Sequence, residues 1–403
     1  MIVLAGGDLV LPDRVVTGGA LVLEGGRITA VVGHAHVEPA GAQVIDVSGH
    51  YVVPGFVDVH VHGVAGTDAF DGPGAVAGMA SRLPAYGVTA FCPTSIACEP
   101  EVLRGFLAQV GRARVTAPPS SARVLPAHLE SNFLSPEYAG AQPIECLRTP
   151  ARLDLRTPPT MAGAEPTFSG REILDVIDGA RADVGIVTVA PELDGGLDLV
   201  RSLCAAGHRV ALGHSGADYA VAIAAFEAGA RHATHLFNRM TPMSHRSPGL
   251  AGAVLEREDV VAELICDGHH VHPAMCRATI AAKGARGVLA ITDGTAGAGL
   301  APGSLTRLGP RVIRVGTNAA ELESGTLAGS TLTMDRAFAN IVTKFGGSLV
   351  DAALLCSSNP ARALGLTGHG VIAEGAAADL AVLDRGFRVT RTFVSGALAY
   401  RAP

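Results

Sequence analysis

The sequence predicts an α/β fold: a TIM (β/α)8 barrel with a small β-sandwich built from both ends of the chain. Three observations carry that prediction. Eight apolar, strand-like segments alternate with loops and amphipathic helices between residues 54 and 369, the pattern of βα units and a parallel sheet. The flanking segments, 1–53 and 370–403, share a different texture of short strands cut by Gly and Pro. Five of the eight apolar segments end in a side chain able to bind a metal ion, namely His60 and His62, Glu130, His214, His235 and Asp293.

The 403 residues exceed one ordinary domain, and eight βα units fit a barrel of about 250 residues before insertions. With 48% hydrophobic and 17% charged residues, the chain has a large core of buried strands. Against 37 Asp and Glu stand 31 Lys and Arg, a net charge of −6 with no long run of one sign. That balance argues against a nucleic-acid surface and for a small-molecule substrate. The 50 Gly and 24 Pro are scattered at segment ends and read as turns. The opening MIVLAGGDLVLPDRVV lacks a basic region and meets Asp8 too early for a secretory signal. No uninterrupted apolar stretch reaches the roughly 18 residues of a membrane span. Seven Cys without any CxxC fit free thiols in a reducing cytoplasm.

Taken in order, MIVLAG, GALVLEGGRITAVVG and AQVIDVSGHYVV read as strands of the small domain, which is completed by the strand-and-turn text of 370–400. The barrel strands are expected at 56–62, 88–94, 124–130, 186–190, 209–214, 232–236, 261–267 and 288–293, with helices such as 217–229 between them. Catalytic groups of such barrels lie where the strands end and the βα loops begin.

In VDVHVHG, His60 and His62 are two apart on a strand, so both imidazoles leave the same face and can reach one ion. Glu130 ends RVLPAHLE, where a carboxylate on an apolar strand is costly unless paired or metal-bound. His128, two residues earlier, reads as a deeper structural histidine. His214 closes RVALGHS and His235 closes HATHLFN, adding two imidazoles from successive strands. His232 falls on the other parity and reads as a packing or surface residue. Each site taken singly has a bland alternative: a satisfied core histidine, a buried ion pair, or, for Asp293, a helix cap. The whole set is explained by a metal ion such as Zn, Fe, Ni or Co. Asp293, ending GVLAITDG, has the chemistry to take a proton from water and return it to a leaving amine.

Lys283 and Lys344 are the only lysines and neither ends a strand, so a Schiff-base enzyme or a carboxylated-lysine bridge lacks its residue. Motifs for serine hydrolase, NTPase and dinucleotide chemistry are absent.

These motifs together resemble the amidohydrolase superfamily and, within it, the N-acetylglucosamine-6-phosphate deacetylase family. The resemblance is carried by PGFVDVHVHG, HLESNFLSPEYAGAQ, GHSGADY, ATHLFNRM, HRSPGLAGA, CDGHHVHP and ITDG. It implies one metal on Glu130, His214 and His235, with His60 and His62 available to a second, the ion being Zn or Fe. It further implies Asp293 as general base and acid, and Asn238, Arg246 and His270 on the sugar and its phosphate. Arg246 would be offered by a neighbouring subunit of a homodimer. The chain departs from the pattern at Ser131-Asn132, Gln142 and Arg239. Gln142 is expected to hydrogen-bond the acyl carbonyl, and Arg239 to replace a small residue beside the substrate. The implied activity is hydrolysis of the N-acetyl amide of an amino-sugar phosphate in the cytoplasm. Alternatives are another N-acyl sugar such as N-acetylgalactosamine 6-phosphate, an N-acyl amino acid, a cyclic amide, or a non-catalytic sugar-phosphate sensor.

Overall fold

The computed structural model describes residues 1–33, 41–116, 118, 120–154, 168–317 and 319–403. Five strands come first: β1 (Ile2–Val10), β2 (Val15–Glu24), β3 (Arg27–Val32), β4 (Gln43–Asp46) and β5 (Tyr51–Pro54). The barrel strands follow as β6 (Phe56–Val61), β7 (Val88–Ser95), β8 (Arg123–Val124) with β9 (Ala127–Glu130), β10 (Val184–Val189), β11 (Arg209–Leu212), β12 (His232–Ala233), β13 (Val261–Ile265) and β14 (Val288–Ile291). The third barrel strand is split into β8 and β9 at Leu125-Pro126, because proline has no N–H for the ladder.

All barrel pairings are parallel. The ring is nearly closed by a parallel bridge between Val61 and Gly294. Residues of β6, β7 and β10 are buried throughout, which is why these strands read as unbroken apolar runs rather than alternating ones. The expected helix over 217–229 is Tyr219–Glu227, started by Asp218, whose carboxylate accepts the Val221 N–H at 2.8 Å. Among the described residues no helix is long and apolar enough to cross a membrane.

An antiparallel meander not foreseen from the sequence follows the last barrel strand: β15 (Leu305–Leu308), β16 (Arg311–Val315), β17 (Ala319–Leu322) and β18 (Leu327–Ser330). Its first hairpin turns on Gly309-Pro310.

The last strands, β19 (Leu380–Leu383), β20 (Val389–Val394) and β21 (Ala397–Arg401), return to the first five. Together they form one eight-stranded sheet in the order β21-β20-β19-β5-β1-β2-β3, with β4 also on β1. Its apolar face gathers Leu4, Leu21, Ile28, Val52, Leu380 and Phe393 from both ends of the chain. The sheet is stapled to the barrel at buried Asp379, which accepts hydrogen bonds from Arg123 at 2.9 Å, His369 at 2.8 Å and the Ser395 N–H at 2.7 Å.

Candidate active site and metal centre

Six side chains expected at the barrel mouth converge there. His60 lies on β6 with His62 just beyond it, and Glu130 ends β9. His214, His235 and Asp293 each lie two residues past their strands, where the backbone swings to φ of +47°, +27° and +49°. A left-handed backbone costs a side-chain-bearing residue about 1 to 2 kcal/mol. Here that conformation ends the strand abruptly and aims the side chain into the mouth, so local strain accompanies the site geometry.

One oxygen of Glu130, Oε1, lies 3.0 Å from His214 Nε2 and 2.9 Å from His235 Nε2, and the two nitrogens are 3.0 Å apart. His214 donates its Nδ1 proton to the Tyr138 carbonyl at 2.8 Å, leaving Nε2 a lone pair in the neutral ring. Atoms this close repel unless a proton or a metal cation sits among them. Two imidazoles and a carboxylate from three strands suit a divalent transition metal. His60, His62 and Asp293 form a second such group. Asp293 Oδ1 lies 3.4 Å from His60 Nε2 and 3.3 Å from His62 Nε2. Buried Nδ1 atoms of His62 and His235 have no hydrogen-bond partner among the described residues.

Beneath this ring lies Glu263, a residue the sequence reading missed. Fully buried, it accepts from His60 Nδ1 at 2.9 Å, His232 Nε2 at 2.8 Å and the His235 N–H at 3.2 Å. His232 is therefore a packed partner of Glu263 and not a surface residue. The only sequence signal for Glu263 was the one that exposed Glu130, a carboxylate inside an apolar strand. His128 bonds the Val59 carbonyl at 3.0 Å and Thr188 Oγ1 at 2.8 Å, and burial pushes its pKa down to about 3. Asp58, also missed, accepts the Thr292 hydroxyl proton at 2.5 Å, and burial lifts its pKa to about 6.

The charges of the ring are mutually set. Burial opposes a charge on His60, but Glu263, Asp293 and Glu130 around it push its pKa up to about 10. Burial would raise the carboxyls of Glu130 and Asp293, yet the neighbouring imidazoles hold both below their ordinary values. Asp293 is thus anionic at neutral pH. Its N–H donates to the His60 carbonyl at 2.9 Å and its carbonyl accepts from the Ser330 N–H at 2.7 Å, fixing it between β6 and the meander.

The ring floors a pocket of about 410 Å³. His62, Glu130, His214, His235 and Asp293 line it, with Tyr138, Gln142, Phe237, Asn238, Arg239 and His270, and Leu308, Leu327 and Gly329 of the meander. The amidohydrolase family model matches residues 51–399. The chain belongs to the amidohydrolase family. It is 32% identical over 396 residues to the N-acetylglucosamine-6-phosphate deacetylase of Bacillus subtilis (strain 168), covering 97% of this chain and 95% of that protein. It is 34% identical over 367 residues to the N-acetylgalactosamine-6-phosphate deacetylase of Escherichia coli O157:H7, covering 91% and 92%. A mutant N-acetyl-D-glucosamine-6-phosphate deacetylase from Mycobacterium smegmatis, solved in complex with N-acetyl-D-glucosamine-6-phosphate, superposes with a TM-score of 0.85 at 33% identity over 99% of each chain.

In this metal-dependent amidohydrolase the remaining expected residues divide. Asn238 lines the pocket, its amide donating to the His235 and Leu236 carbonyls, each at 3.3 Å. His270 lines it too, its Nδ1 held by Asp267 at 2.6 Å. Arg239 lines the pocket with φ of +51°, its carbonyl accepting the Ser215 N–H at 3.0 Å and its guanidinium without a hydrogen-bond or ion-pair partner among the described residues. Gly140 leaves it space, since a Cβ there would stand 2.7 Å from Arg239 Nε. Arg246 is exposed on the loop before Gly249 and does not line this chain's pocket. Gln142 lines the pocket with its Oε1 accepting the Ala97 N–H at 2.8 Å and its Nε2 donating to Glu130 Oε2 at 2.5 Å, which engages one of its two amide protons.

Proposed function

We propose that this amidohydrolase hydrolyses the N-acetyl amide of a hexosamine 6-phosphate, N-acetylglucosamine 6-phosphate first among them, releasing acetate. The observation that carries the proposal is an anionic Asp293 beside the Glu130, His214 and His235 donor set, under a pocket whose rim bears an unpartnered guanidinium. Glu130, His214 and His235 would hold the divalent ion, Zn or Fe, which when bound supplies Lewis acidity toward a carbonyl oxygen and lowers the pKa of water. Asp293 takes the proton of the attacking water and delivers it to the leaving nitrogen as the C–N bond breaks. Asn238 and His270 orient the sugar, and Arg239 holds the phosphate with paired charged hydrogen bonds.

The exposed Arg246 suits a role in the pocket of a second copy, and we propose a homodimer on that basis. The sheet drawn from 1–53 and 370–403 is proposed as a separate small domain beside the catalytic barrel of 54–369. Seven free cysteines, most of them buried, agree with a reducing cytoplasm. N-acetylgalactosamine 6-phosphate is a second candidate, favoured by the similarity to the Escherichia coli O157:H7 protein. Acetate release across N-acetylhexosamine 6-phosphates and their unphosphorylated counterparts tests the assignment. Equal rates with and without phosphate would overturn it.

A further inference from the structure

We propose that Gln142 reserves the second oxygen of Glu130, so that this chain binds one divalent ion tightly, at Glu130, His214 and His235, and leaves His60 and His62 to orient Asp293. The inference rests on the metal-dependent reading above.

The direction of the Gln142 amide is fixed by its surroundings. The Ala97 N–H, 2.8 Å from Oε1, requires an acceptor there, which leaves the NH₂ group to face Glu130. The loop carrying Gln142 is anchored in turn. Asn132 donates to the Cys98 carbonyl at 2.8 Å and the Cys146 carbonyl at 2.7 Å, pinning residues on both sides of Gln142 to the segment that holds Ala97. Ser131 donates to the Thr188 carbonyl at 2.6 Å. Asn132 and Gln142, two of the departures, therefore act together to deliver a neutral donor to the carboxylate.

Glu130 consequently divides its oxygens. Oε1 faces His214 and His235 and stands 3.6 Å from His60 Nε2, whereas Oε2 takes the Gln142 proton at 2.5 Å while standing 3.5 Å from His62 Nε2. Paired metal sites hold their ions about 3.5 to 4 Å apart, and two dications at that distance repel strongly unless an anionic oxygen is shared between them. Oε2 is the oxygen not committed to His214 and His235, so it is the one a second ion would take, and the amide occupies it. No lysine ends a strand to be carboxylated as an alternative bridge. His60 and His62 stay 3.4 and 3.3 Å from Asp293 Oδ1 and act on the proton-transferring carboxylate.

The test is a titration of metal-free protein with Co²⁺, followed by visible absorption and by elemental analysis after gel filtration. The wild-type chain is expected to retain one equivalent. Gln142→Met, of similar length but without a donor, is expected to retain two. Two tightly retained equivalents in the wild type, or a Gln142→Met protein that is folded by circular dichroism and still retains one, would overturn the inference. Retention of none by the wild type would overturn the metal-dependent reading as well.

Discussion

His60 donates its Nδ1 proton to Glu263 Oε2 across 2.9 Å, so the nitrogen turned toward the barrel mouth is Nε2. Glu263 binds His232 with its other oxygen and the His235 backbone as well, so one buried carboxylate orients three groups from β6 and the end of β12. Substitution Glu263→Gln replaces an acceptor by an N–H that must face an imidazole proton. It should cost about 3 to 5 kcal/mol in urea unfolding and weaken metal binding roughly 10- to 100-fold in chelator competition. Unchanged metal affinity would show that the carboxylate acts on packing alone.

Asp293→Asn keeps the volume and the backbone anchors to His60 and Ser330 but cannot take a proton. Its kcat should fall by roughly 10² to 10⁴ while metal content, measured by elemental analysis, stays near that of the wild type. Retained turnover would remove Asp293 from proton transfer.

Arg239→Ala removes the unpartnered guanidinium from the pocket rim. Loss of charged hydrogen bonds worth about 1.5 to 3 kcal/mol should raise KM for a 6-phosphate roughly 10- to 100-fold and leave kcat little changed. An unphosphorylated substrate should not register the change. A fall in kcat for both substrates would instead mean that the side chain shapes the reacting end of the pocket.

Asp379 gives a pH signature. Burial opposes its charge, but the hydrogen bonds from His369 and Arg123 outweigh burial and hold the carboxyl below its ordinary value. A group whose pKa is lower folded than unfolded stabilises the protein above the unfolded value of about 3.9 and loses that contribution as pH falls through the folded value. Asp379→Asn should therefore lower stability by about 2 kcal/mol at pH 7, with the gap to the wild type closing in increasingly acid buffer. A gap independent of pH, read by urea unfolding at several pH values, would show that shape rather than charge joins sheet and barrel at this point.

The barrel was legible because parallel strands buried on both faces leave unbroken apolar runs, and because His, Glu or Asp at the end of such a run is conspicuous. The same rule placed the six groups at the mouth. It could not say that the strands stop short of His214, His235 and Asp293, since the left-handed turn after each strand is fixed by neighbouring loops. Glu263 carried the same anomaly as Glu130, but its imidazole partners come from β6 and β12, and no local spacing ties them to it. The amide of Gln142 is oriented by the Ala97 N–H, a long-range contact with no trace in the residues around it. The meander over 305–330 has short, mixed strands whose alternation is too brief to read, although Gly309-Pro310 marks its first turn.

The pairing of β5 with β19 sets an order of assembly. Val52 meets Val382 only after the whole barrel has been synthesised between them. During translation the strand leading directly into His60 and His62 waits with an open edge, inviting wrong partners from nearby nascent chains. Ribosome-bound intermediates can close the barrel but cannot clasp its entrance. Shortened proteins that stop before Leu380 would inherit that bare edge permanently.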